Sequence, residues 1–146
     1  VSGHHNVIKG FESLSKQQMF DMSARHVLKN GRASYKALKD HEGREMSSGT
    51  CVYSGIGCAA APFLTPEARK KLIGRWEDGL VYGGLVPSYE AGFVQSLQDC
   101  HDNAKRTPPG TMKGDRDTLF LKDYRSRMRW LASVEGLNAD VLEEMP

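Results

Sequence analysis

Long hydrophobic runs are missing from this chain: no stretch of 18 apolar residues occurs, so no membrane-crossing helix is expected. The first 30 residues also lack the apolar core of a secretory leader, which predicts a cytosolic protein. Cysteine is scarce and odd in number. Cys51, Cys58 and Cys100 do not make a secreted disulfide framework and agree with reduced thiols. Charge of one sign is lacking too: 20 Lys and Arg against 18 Asp and Glu leave a net +2, too little for dense phosphate tracking. Nucleic acid is therefore not an expected partner, and an acidic DNA mimic is excluded. The phosphate-binding patterns G-x-x-x-x-G-K-[ST] and G-x-G-x-x-G are absent. So are H-x-H and H-x-x-x-H pairs and the clustered carboxylates of a two-metal site, and neither a metal nor a cofactor is expected.

What remains is a chain of 146 residues, enough for one domain over 1–146 with its own core. Residues 1–13 show no periodicity and are expected to be flexible. Ser15-Lys-Gln-Gln18 is a capping box, and Phe20, Ala24, Val27 and Leu28 follow at helical spacing up to Asn30-Gly31. A helix over about 16–29 is predicted. Residues 32–50 are polar and read as a loop with one turn around Tyr35–Leu38. Cys51–Tyr53 and Cys58–Phe63, either side of Gly55-Ile-Gly57, read as two short strands. Thr65-Pro66-Glu67 opens a second helix whose apolar face is Ala68, Leu72, Ile73 and Trp76. Further helices are predicted from Ser88 to about Lys105 and over about 117–135, where Gly136 stops the last; Asn138 is placed to cap a final short turn. The expected fold class is α+β, mainly α-helical: three to four helices with a small two-stranded β element around residues 51–63.

Each unusual residue has a structural reading beside a functional one. The C-x₆-C spacing of Cys51 and Cys58 is too wide for a zinc knuckle and lacks a second ligand pair, so both are read as small core residues. His101, at the edge of an apolar stripe, is read as a hydrogen-bonded core histidine, and Asp99 and Asp102 as solvated surface carboxylates. The loop Asp78–Tyr89 carries Gly79, Gly83 and Gly84 with Tyr82 and Tyr89. It is either the flexible wall of a pocket or a tight connector. The last long helix has two apolar stripes. Leu121, Tyr124, Met128, Leu131 and Ala132 form one; Leu119, Phe120, Trp130 and Val134 form the other. A helix apolar on two sides is central to the fold or half buried in a second copy, which makes Phe120, Arg127, Trp130 and Val134 the expected homo-oligomer interface. Lys122, Arg125 and Arg129 form a basic strip that is either a solvated face or an anion contact.

Several short motifs carry a resemblance: Q-Q-M-F-D at 17–21, C-x-Y at 51–53, a glycine turn, C-A at 58–59, L-Q-x-C-H-D at 97–102, and W-L-A-S-V-E-G-L at 130–137. Together, over roughly residues 11–137, the chain resembles a group of small hypothetical accessory proteins of tailed bacteriophages. It departs from that group where C-A is usually followed by an apolar residue and glycine, since Cys58 here precedes three alanines. The resemblance implies a protein acting in the cytoplasm of an infected bacterial host, against host defence. The leading expectation is a non-enzymatic binding protein that sequesters a nucleotide-derived immune signal without cleaving it. Arg32, Tyr35, Arg75, Trp76, Tyr82, Tyr89 and Arg106 are the candidate ligand residues, the aromatics to stack on a base and the guanidinium groups to pair with phosphate oxygens. An inhibitor that covers a host defence enzyme is the alternative, and a nucleotide hydrolase the third.

Overall fold

The computed structural model describes residues 6–30, 35–39, 45–51, 59–72, 80–104 and 113–144, with residues 30, 35–39, 45–51 and 113–119 described by their backbone alone. Among the described residues the protein is mainly helical: α1 Lys16–Asn30, α2 Pro66–Lys71, α3 Ala91–Asp102 and α4 Lys113–Glu135. Short 3-10 turns lie at Phe11–Ser13, Ala61–Phe63 and Asp140–Glu143. Helix α1 packs on α3 and on the last of these turns, and α3 packs on α4.

The helix ends follow from local chemistry. Ser15 Oγ accepts from the Gln18 N–H at 3.1 Å, and Gln18 Oε1 accepts from the Ser15 N–H at 2.8 Å, closing the expected capping box. Thr65 caps α2 by accepting from the Ala68 N–H at 3.2 Å, with Pro66 in the first turn. At the end of α4, Gly136 takes φ 71°, and the Leu137 N–H turns back to the Ala132 carbonyl at 2.8 Å. That is a Schellman stop, which needs the left-handed backbone that glycine adopts without a steric penalty. Asn138 Oδ1 accepts from the Asp140 N–H at 2.7 Å, leading the chain into the terminal turn.

Four expectations are corrected. The two-stranded element expected over 51–63 is not seen among the described residues, where Cys51 ends a strand that begins at Glu45. Residues 52–58 lie outside the described residues, and Ala61–Phe63 is a 3-10 turn. A short antiparallel hairpin lies upstream instead, in the segment read as a loop: β1 Tyr35–Lys39 pairs with β2 Glu45–Cys51, Tyr35 opposite Cys51 and Lys36 opposite Thr50, with an irregularity between Ala37 and Lys39. Backbone pairing supplies what the polar side chains did not advertise. The second helix stops early, at Lys71, because Leu72 turns to an extended backbone with ψ 137°. Ile73 and Trp76 lie outside the described residues. Helix α3 starts at Ala91 rather than Ser88, since Glu90 has a positive φ of 46°. Finally, residues 6–13 are packed rather than frayed. The Ile8 N–H bonds the Phe63 carbonyl at 3.0 Å, the Thr65 N–H bonds the Asn6 carbonyl at 3.0 Å, and Phe11 is buried with its ring 5.8 Å from that of Phe63.

The core joins Phe11, Phe20, Phe63, Leu97, Phe120, Tyr124 and Met128 with the three alanines Ala59, Ala60 and Ala61. These alanines are wholly buried, so the backbone that carries them runs close against the helices. Its polar atoms are met from both sides. Ser23 Oγ on α1 donates to the Ala59 carbonyl at 2.9 Å, and Gln98 Oε1 on α3 accepts from the Ala60 N–H at 3.0 Å. Gln98 Nε2 also donates to Asp102 Oδ1 at 2.9 Å, and His101 Nδ1 lies 2.9 Å from the same oxygen. Asp102 is thus a partly exposed carboxylate that also accepts from buried groups, a role its reading as a surface carboxylate did not include. The buried His101 stands edge-on to Phe120 at 5.6 Å.

Candidate functional site

Helix α3 turns one stripe towards α4 that is neither apolar nor fully solvated. Ser96, Asp99, Cys100 and Asn103 recur at i, i+3, i+4 and i+7, which places them on one face. Ser126, Arg127, Trp130 and Leu131 of α4 stand opposite, and between the two helices lies a cavity of about 360 Å³. That volume falls within the usual range for a small-molecule site. The groove has a flat aromatic wall, a cation, a carboxylate and several short polar groups.

Three of these side chains have one anchor each. Arg127 Nε donates to Asp123 Oδ2 at 2.9 Å, one helical turn back, using one of the five donors of the guanidinium. Asp99 Oδ1 accepts from Gln95 Nε2 at 2.9 Å, and Ser96 Oγ donates to the Gly92 carbonyl at 3.0 Å. Trp130 is 66% exposed, unusual for an indole, and Val134 on the next turn is 59% exposed. Burial, seconded by the negative charge of Asp99, pushes the Cys100 thiol up to about 12, against the opposing pull of Arg127. The thiol therefore stays protonated, a small filler of the groove floor and not a nucleophile.

Of the expected ligand residues, only Tyr82 and Tyr89 have described side chains. Arg32, Arg75, Trp76 and Arg106 lie outside the described residues, as does Cys58, and Tyr35 belongs to β1. Tyr82 is exposed on a loop closed upon itself: the Leu85 and Val86 N–H groups both reach the Leu80 carbonyl, at 2.8 and 3.2 Å. Over residues 80–89 the backbone makes the tight turns that either reading requires. Tyr89 packs inward. Its hydroxyl donates to the Leu14 carbonyl and its ring meets Phe11 edge-on at 5.7 Å, tying the loop to the N-terminal segment. Among the expected interface residues, Phe120 is fully buried and stacks on Tyr124 at 6.0 Å. Four positions advance only about 40° around a helix, so Phe120 falls on the Tyr124 side and joins the chain's own core. Arg127 and Trp130 line the groove, and Val134 remains exposed beyond it.

The basic strip has partners. Arg125 Nε donates to the Leu142 carbonyl at 3.0 Å and Arg129 pairs with Glu143 at 2.7 Å, so both hold the terminal turn against α4. Sequence reasoning missed Ser96, Asp99 and Asn103. Their signal was the stripe itself, four small or polar residues at helical spacing beside the apolar face of Phe93, Val94 and Leu97. Among the described residues no three His, Cys, Asp or Glu side chains gather as metal ligands.

No protein-family model matches this chain. Neither a curated protein nor a solved structure matches it. The groove has to be read from its own chemistry.

Proposed function

We propose that the protein is a non-catalytic binding protein that captures a small nucleotide-like ligand in the groove between α3 and α4. One observation carries this reading: an indole left two-thirds exposed, on the wall of a cavity that also presents Arg127 and Asp99. An aromatic face stacks on a planar base, and a guanidinium pairs with phosphate oxygens in a forked geometry. Burial raises the Cys100 thiol to about 12, which keeps it protonated at neutral pH and favours binding over thiol chemistry. That the ligand is a host immune signal, and the setting an infected bacterium, rests on the resemblance to phage accessory proteins.

The test uses Trp130 as its own reporter in a Trp76→Phe background, titrated with nucleotides and followed by recovery of the ligand. Quenching with intact ligand recovered supports capture; conversion to product supports a hydrolase. No response to any nucleotide refutes the proposal. Trp130→Ala is expected to weaken binding roughly fivefold to 150-fold, the worth of one base–aromatic stack.

The pair Trp130 and Val134, one turn apart and both exposed, favours a second reading as a protein-docking face. A second copy of the chain across a two-fold axis is the simplest occupant, and a host defence protein the other. The mass in solution separates a self-paired chain from a monomer of 16.2 kDa.

A further inference from the structure

We propose that the groove selects guanine among the nucleobases, an inference that rests on the capture reading above and assigns its base specificity to Asp99. Stacking on Trp130 accepts any base, because each has a π-face, and pairing with Arg127 accepts any phosphate. Neither discriminates. The wall that does is the α3 stripe, where Asp99 and, one turn on, Asn103 face the same cavity.

An ionised carboxylate is an acceptor only. Gln95 occupies one position on Asp99 Oδ1, which holds the side chain in place and leaves the rest of the carboxylate able to accept. Guanine presents two adjacent donors, N1–H and the N2 amino group, which match the two oxygens of a carboxylate. Adenine sets its N1 lone pair beside the N6 amino group, and cytosine sets its N3 lone pair beside the N4 amino group. In each, an acceptor would face the carboxylate. Uracil offers one N–H flanked by two carbonyl oxygens. Asn103 supplies the complement: its amide nitrogen donates to the O6 atom of guanine that the carboxylate would repel.

The charges also orient the ligand. Asp99 repels phosphate and Arg127 attracts it, so the base enters towards α3 and the phosphate towards α4. Both charges flank the same spot: Asp99 and Arg127 line one cavity with the Cys100 thiol on its floor. A neutral floor between two opposite charges suits a ligand with a donor-rich head and an anionic tail.

The test compares the four nucleoside 5′-monophosphates, with inosine 5′-monophosphate as a fifth ligand, by Trp130 fluorescence in the Trp76→Phe protein. GMP is expected to bind at least tenfold more tightly than AMP, CMP or UMP. Inosine 5′-monophosphate lacks the N2 amino group and should bind several-fold more weakly than GMP. Asp99→Asn should bring GMP and AMP within about twofold of each other by weakening GMP alone, the indole stack being unchanged. The inosine comparison needs no altered α3 residue, so it decides the matter even if Asp99→Asn does not fold. Equal quenching by GMP, inosine 5′-monophosphate and AMP would overturn guanine selection while leaving capture standing. No quenching by any of the five would overturn both.

Discussion

Replacing Gln98 by methionine isolates the polar part of the network that holds Ala59–Ala61 to the helices. Methionine keeps nearly the same length and volume, so little cavity forms, but it neither accepts nor donates as the amide does. Gln98 is fully buried, and its Oε1 takes the Ala60 N–H at 3.0 Å. Once that acceptor is gone the N–H is left unpaired in the core, at a cost of about 1–3 kcal/mol. The lost donation to Asp102 costs less than a fully buried charged bond, because the Asp102 side chain is 22% exposed and water can replace the amide. The sum is about 2–4 kcal/mol, which for a chain of this size lowers the melting temperature by roughly 5–15 °C. Thermal and urea unfolding followed by circular dichroism measure it, with an unchanged urea slope showing that the folded state is otherwise intact. Gln98→Glu supplies the control. The introduced carboxylate still accepts from Ala60 but faces Asp102, so this variant should be poor at neutral pH and recover as acid protonates the new carboxyl, which then donates as the amide did. A Gln98→Met protein melting within 1 °C of the parent would refute the claim that α3 holds the alanine segment through this side chain.

Other outcomes follow from the same contacts. Tyr89→Phe should destabilise the fold by about 1 kcal/mol, the worth of its bond to Leu14, whereas Tyr82→Ala should stay within about 0.5 kcal/mol, since that side chain is exposed; denaturant midpoints compare the two. Burial pushes the Cys100 thiol up to about 12 from a reference of 9.0, so its contribution is expected to be complete below pH 9.0 and lost as pH rises towards 12. The wild type should therefore lose stability over that window faster than Cys100→Ala, by roughly 1.4 kcal/mol per pH unit, and parallel curves would refute the burial argument. If the exposed face pairs two copies, light scattering should give about twice 16.2 kDa. Val134→Glu should then restore the single-chain mass while leaving the nucleotide response of Trp130 intact, and a single-chain mass for the wild type would remove the self-docking reading.

What the sequence determined by itself was local. The start of α1, the Thr65 cap of α2 and the Gly136 stop of α4 were all legible, because each rests on bonds between residues three to five positions apart. Such bonds form whatever the rest of the chain does. The tertiary structure decided the rest. The hairpin pairs Tyr35 with Cys51, a non-local choice that no polar/apolar alternation announced. Tyr89 was legible as a loop aromatic, but only its contact with Leu14 and Phe11, some 75 residues away, makes it a packing residue. Helix α4 carries apolar residues on two sides, and periodicity alone assigns neither to the interior. The approach of α3 buries Phe120 and leaves Trp130 at the edge of a groove. That groove belongs to no single segment: its acid and its cation sit on helices 28 positions apart in the chain, Asp99 and Arg127, and only helix packing sets them around one cavity.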